Sequence, residues 1–291
     1  MCHPLLAEEN NGSCGNYGIF DQIAALKWVK ENIKAFGGDP DNITLFGQSA
    51  GSLTAQTLLL SPLTKGLFNK CIFQSGAGYE NGFCKNRAQE EFYDIGEKAF
   101  EQSGAKSMEE LRKLPAERLL EISNKLIEYA CQTDKGLGYE PVIDGRLLTG
   151  DSEQNLREGN YPDIPIMLGS TANDICTPPG ATVPMEESIL HNGCVNWCKH
   201  QNELGYKPPY LYYFKRRLPG DNYGAFHSSE LWYMFGTLNR CWRPFTPEDE
   251  SLSRRMLDYW CNFIRTGNPN GDGLEEWTPW TRESRSVMIF L

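Results

Sequence analysis

The sequence predicts an α/β fold, a mostly parallel sheet flanked by helices. Two observations carry that expectation. Apolar strand-like runs alternate with helical stretches, the pattern of a parallel sheet with crossover helices. One of those runs, Ile43–Phe46, leads into Gly47-Gln48-Ser49-Ala50-Gly51 with a helical stretch, Leu53–Leu60, directly behind it.

Taken in order, a glycine-rich loop over 12–18 opens the pattern. Ile19, Ile23, Leu26, Val29, Ile33 and Phe36 then recur at three- and four-residue steps, which gives a helix one apolar face. Gly37-Gly38-Asp39-Pro40 ends it, since Gly suits the left-handed cap and Pro cannot continue a helix. Strand Ile43–Phe46 and helix Leu53–Leu60 follow, and Ser61-Pro62 stops the helix. Lys70–Gln74 reads as the next strand. From about 85 to 131 only helical signals remain: Ser107 and Glu110 fit a capping box, and Pro115 begins a helix with Leu119, Ile122, Leu126 and Tyr129 along one side. This stretch is expected to be a helical insertion, acting as a lid or as a packing layer, within one domain spanning 1–291. Strand signals return at Ile164–Leu168 and Tyr210–Phe214, with a helix near Glu186–Leu204 between them and a last long helix over Pro247–Arg265.

The serine between strand and helix is the main chemical signal. G-x-S-x-G at a sharp strand-to-helix turn is a nucleophile elbow: glycines on either side let the backbone fold tightly, and the hydroxyl stands clear at the helix N-terminus. The pattern alone arises by chance in roughly one chain in ten of this length, so the flanking strand and helix carry the inference. A serine hydroxyl needs a base, and the base needs a third group to orient it. Of four histidines, His3 sits at a terminus, and His191 and His200 lie on a polar helical stretch. His227 stands in a glycine-containing loop after strand Tyr210–Phe214, where a base can face the sheet's carboxyl edge. In α/β-hydrolases the order is Ser, acid, His. Asp174, in the loop after Ile164–Leu168, is the best-placed acid, with Asp144 and Glu230 as rivals.

Other groupings carry less. His191, Cys194, Cys198 and His200 crowd one helical segment, but 200 leaves the face shared by the other three, and the spacing matches no standard zinc pattern. No metal or other cofactor is expected. Trp232, Tyr233, Phe235 and Trp242 could line an acyl or aryl pocket or form core.

The segment GNYGIFDQIAALKWVKENIKAFGGDPDNITLFGQSAG (15–51) closely resembles the nucleophile region of the type B carboxylesterases, the family that includes the cholinesterases. SPLTKGLFNKCIFQSGAG (61–78), PVIDG (141–145), IPIMLGSTAND (164–174) and AFHSSELWYMFG (225–236) match it in the same order. The resemblance implies an α/β-hydrolase fold and carboxylic ester hydrolysis on small molecules. It makes Ser49 the nucleophile, Ala50 an oxyanion-hole backbone donor and His227 the base. Asp174 falls where the family usually has Glu. The family also places a glycine-rich oxyanion loop and several strands before the elbow, whereas Ser49 here stands near the start. The chain is therefore expected to be an N-terminally truncated member, with wall or lid helices also missing between Asp174 and His227. The alternative is a non-catalytic binding or adhesion-type relative, or an inactive fragment.

Whole-chain properties set outer bounds. With 291 residues and 40% hydrophobic residues there is ample material for a core. A net charge of −10 argues against nucleic acid as a partner, and no apolar run reaches the length of a membrane span. Ten cysteines, none in C-x-x-C, are expected to be thiols, and the sequons at Asn11 and Asn42 to be accidental. The visible chain reads as cytoplasmic, with secretion open if a segment precedes Met1.

Overall fold

A computed structural model of the chain describes residues 1–83, 85–175, 177–181 and 183–291. The elements run α1 (Pro4–Glu9), α2 (Tyr17–Asn32), β1 (Thr44–Gln48), α3 (Ala50–Leu60), β2 (Lys70–Gln74), α4 (Tyr93–Ser103), α5 (Met108–Arg112), α6 (Ala116–Gln132) and α7 (Ser152–Arg157). Then come β3 (Ile166–Thr171), α8 (Ile189–Glu203), β4 (Tyr210–Phe214), α9 (Leu231–Met234), α10 (Pro247–Thr266) and β5 (Met288–Phe290). Among the described residues the five strands form one sheet in the order β1-β2-β3-β4-β5, every pair parallel.

The sheet is covered on both faces, and the strand period of two sorts its side chains. Cys71, Phe73, Ile166, Leu168 and Leu211 join one apolar cluster with Leu58 and Leu59 of α3 and Trp197 of α8. Ile72, Met167, Tyr212 and Phe214 join the other, with Met256, Tyr259, Trp260 and Phe263 of α10. A third cluster lies apart, where Leu6 of α1 meets Ile95, Ala99, Leu111, Ile122 and Leu126 of α4, α5 and α6.

The helix after the glycine-rich loop differs from its expected burial. Ile19 and Ile23 are buried and Leu26 half-buried, but Phe36 is 72% exposed and Trp28 53% exposed. The apolar face therefore meets the core only over its first half. It also changes from α-helix to a 3-10 turn at Ile33–Phe36, which Gly37 ends in the left-handed conformation. Strand β3 begins two residues later than its sequence signal, just after Pro165, which lacks the N–H a ladder needs. The helical signal near 186–204 resolves into a short 3-10 turn at Met185–Glu187 and then α8, with the Ser188 hydroxyl accepting from the His191 N–H. At Ser107 only half of the capping box forms: Ser107 Oγ accepts from the Glu110 N–H, while Glu110 reaches back to Lys106 N instead.

Among the described residues no helix is long and apolar enough to cross a membrane, and cysteines such as Cys71, Cys131 and Cys198 are free thiols. Cys84 and Cys176 lie outside the described residues.

Candidate active site

Parallel strands present all their carboxyl ends at one edge, and the loops leaving β1, β3 and β4 meet there. Ser49 follows the last residue of β1 and precedes the first of α3, at φ 57° and ψ −125°. For a residue with a Cβ that is a strained conformation, held only where its surroundings over-determine it. The restraints are visible. The Ser49 N–H donates to the Gln74 carbonyl at 2.8 Å, tying the elbow to the end of β2. A Cβ on Gly47 would lie 2.2 Å from the Gly51 carbonyl oxygen, and one on Gly76 would lie 2.3 Å from that of Ser49. The close approach expected of Gly51 is one-sided, because a Cβ there would meet nothing within 4 Å. Its backbone fills the space that Gly47 leaves.

The Ala50 N–H is the first of α3, so it belongs to the helix-end donors without an intrahelical acceptor. Ala50 is exposed.

The other two candidate residues are joined through their neighbours. Asn173 and Phe226 form an isolated parallel bridge. The Asn173 N–H donates to the Ala225 carbonyl at 2.8 Å, and the Ala225 N–H returns to Asn173 Oδ1 at 2.9 Å. The next residue on each side is Asp174 and His227, and His227 Nδ1 hydrogen-bonds Asp174 Oδ1. Asp174 also accepts from the Thr171 and Ile175 N–H groups, each at 2.9 Å. Burial works to raise its pKa, but hydrogen bonds from His227 and the Thr171 N–H outweigh this and hold the carboxyl below its usual range. The Asp174 hydrogen bond pushes His227 upward, against partial burial. An Asp thus reaches the imidazole from the position where the resemblance leads one to expect Glu.

The rival acids do other things. Asp144 accepts from Ser13 Oγ and from the Arg146, Leu147 and Leu148 N–H groups, closing a turn. Glu230 is fully buried and accepts from Gln74 Nε2 at 3.2 Å. Burial, with the Asp174 charge adding to it, raises the Glu230 pKa to about 7.

Three polar groups at this edge carry no motif of their own. Ser75 is buried near Asp174, and Asn173 ties the loop after β3 to the loop after β4. Gln48 places Nε2 3.2 Å from His227 Nε2. Position in the chain is the one available signal: Gln48 adjoins Ser49, and Asn173 adjoins Asp174.

The clustered residues of α8 have separate environments. His191 packs edge-on against Tyr213, and burial lowers its pKa to about 4. Cys194 and Cys198 enter the core, and His200 stacks on Tyr79 and bonds the Leu156 carbonyl. Of the aromatics, Tyr233 is core and bonds Asp249, Trp232 packs on Phe226, Phe235 is half-exposed beside Phe46, and Trp242 is exposed against Arg243.

Comparison with known proteins places the chain in a family. The carboxylesterase family model matches residues 5–180 and 184–290. The para-nitrobenzyl esterase of Bacillus subtilis is 29% identical, over 98% of this chain and 65% of its own length. Carboxylesterase 1C of Mus musculus is 26% identical over 98% of this chain and 61% of its own. A solved thermophilic PNB esterase matches with a TM-score of 0.82 at 29% identity, covering 98% of this chain and 66% of that one. For a Geobacillus stearothermophilus carboxylesterase the values are 0.76 and 32%, over 96% and 66%. The chain spans less than two thirds of the length of these curated relatives. Its fold is that of the α/β-hydrolases, and with matches running almost from end to end the chain belongs to the carboxylesterase family.

Proposed function

We propose that the chain hydrolyses carboxylic esters of small molecules through an acyl-enzyme, with Ser49 as nucleophile, His227 as base and Asp174 as the group that orients it. The bridge between Asn173 and Phe226 carries this reading. It holds an acid against the far nitrogen of an imidazole, at the same sheet edge as a serine in a strained elbow.

In the first step Ser49 Oγ attacks the ester carbonyl and its proton passes to His227 Nε2. The imidazolium is stabilised by Asp174, and the tetrahedral oxyanion takes a hydrogen bond from the Ala50 N–H at the positive end of α3. One such donor is worth about 10²–10³ in rate. Collapse expels the alcohol, which receives the proton from His227. Water then gives a proton to the same nitrogen and attacks the acyl carbonyl; collapse breaks the bond to Ser49 Oγ, which takes that proton back from His227 as the acid is released. The steps balance with these side chains and water.

Phe46 and Phe235, 42% and 51% exposed with ring centroids 6.2 Å apart, stand near the elbow. They suit an apolar acyl or aryl group.

The test is labelling with a fluorophosphonate serine-hydrolase probe, comparing the chain with Ser49→Ala and His227→Ala. Labelling lost in both variants is the expected result. No labelling of a chain that melts cooperatively would sink the catalytic reading and leave a binding role.

A further inference from the structure

We propose that Gln48 is a positioning residue that holds the base at rest, its side-chain amide occupying the imidazole nitrogen that the Ser49 hydroxyl must reach. This rests on the reading of Ser49 and His227 as nucleophile and base, and adds a control on that same site.

The geometry is specific. Gln48 Nε2 lies 3.2 Å from His227 Nε2. The opposite nitrogen, Nδ1, faces a carboxylate that can only accept, so Nδ1 carries the proton. In the neutral imidazole Nε2 is then a lone-pair acceptor, and the partner it needs is a hydrogen-bond donor. An amide –NH₂ meets that need, which assigns the orientation of the Gln48 amide from the network around it. Among the hydrogen bonds of the described residues, none joins Ser49 Oγ to His227. The lone pair that should take the serine proton is committed to the residue before the serine.

Two consequences follow. Before attack the Gln48 side chain has to release Nε2, and the release is local. Its backbone is fixed by pairing β1 with β2, where Gln48 is in register with Gln74, so only side-chain torsions move. The amide also stabilises the neutral imidazole and so lowers its pKa, against Asp174, which raises it. The ionisable groups acting on the imidazole are Asp174 and Glu230. Neither is on β1, so both are retained when residue 48 is changed.

The test uses Gln48→Met, which keeps the length and removes the donor, and Gln48→Glu, which keeps the shape and supplies an acceptor. The His227 ring is titrated by NMR in a Ser49→Ala background, which reads the contact whether or not the chain is a hydrolase. Phosphonylation by the fluorophosphonate probe is followed against pH in chains retaining Ser49. The pKa is expected to rise in Gln48→Met and further, by about a unit, in Gln48→Glu, where a carboxylate faces the imidazolium. Gln48→Met should label about 2- to 10-fold faster at pH 8, the reach of one net hydrogen bond. An unchanged His227 pKa in both variants overturns the proposal, as does slower labelling by Gln48→Met with its fold intact. If no variant labels while the titration shifts as expected, the hydrolase reading fails and the Gln48–His227 contact stands. Gln48→Glu, close to isosteric, supplies the titration if the Met variant folds poorly.

Discussion

Gly76 lies against the backbone of Ser49, so closely that a Cβ at 76 would sit 2.3 Å from the serine carbonyl oxygen. The loop after β2 therefore presses on the elbow from behind, and the Ser49 N–H bonded to the Gln74 carbonyl completes the clamp. The strained serine conformation follows from these two contacts together with Gly47.

Substitution of these glycines should separate by position. Gly76→Ala and Gly47→Ala put a methyl into rigid backbone and should each cost about 2 kcal/mol or more. Gly51→Ala meets open space at a helical position and should melt at or above the parent temperature. Thermal denaturation of the three variants reads this directly; equal losses in all three would contradict the one-sided packing.

Asp174→Asn should keep the fold and lose about 10³–10⁴ in kcat on an aryl ester, because an amide cannot enforce the Nδ1–H tautomer that a carboxylate does. The decisive measurement is kcat beside an unchanged melting curve. A loss under tenfold would remove Asp174 from the orienting role.

The pH dependence follows from His227, whose pKa is held above 6.5 chiefly by the Asp174 hydrogen bond. In the proposed mechanism His227 must be neutral to act as base, so activity should fall as pH drops through a midpoint above 6.5. Stability runs the other way. The protonated imidazole's contribution is complete below pH 6.5 and is lost as pH rises through the folded pKa. In Asp174→Asn the activity midpoint should move down. A probe-labelling profile from pH 5 to 9 tests the activity midpoint in both chains, and urea unfolding over the same range tests the sign for stability.

Glu230 gives a prediction of stability alone. Burial raises its carboxyl from 4.5 to about 7. The folded state therefore holds a proton that the unfolded state has lost, and stability declines as pH rises from about 4.5 to 7. Glu230→Gln, neutral at every pH, should be more stable than the parent above pH 7, by up to about 3 kcal/mol at 1.36 kcal/mol per pKa unit. At pH 4 the two should converge. Urea unfolding at both pH values decides it, and an equal difference at each would show that Glu230 is not kept protonated by the fold.

The order of strands and helices was legible because each element carries its own periodicity and stop signals. Gly37 and Pro165 mark ends that local conformation enforces. Ser49 was legible for a similar reason, since an elbow is local: strand, tight turn and helix lie within a few residues. The exposure of Trp28 and Phe36 was not legible, because apolar spacing says which face is greasy and not whether anything covers it. Gln48 was hidden in plain sequence, as nothing local says which way a strand-end amide points.

The sequence by itself determined the α/β alternation, the elbow and its serine, and a short list of acids and bases at strand ends, because short-range sterics and hydrogen bonding act within a turn or a strand. Only the tertiary structure set Asp174, rather than Asp144 or Glu230, against the His227 ring. That choice depends on β3 and β4 lying side by side in register, so that Asn173 meets Phe226 and the next residues face each other. It depends as well on burial, which leaves Asp174 ionised by hydrogen bonds and Glu230, three residues beyond His227, protonated up to about pH 7. Solvation and contacts between distant segments are properties of the folded chain, and no window of sequence contains them.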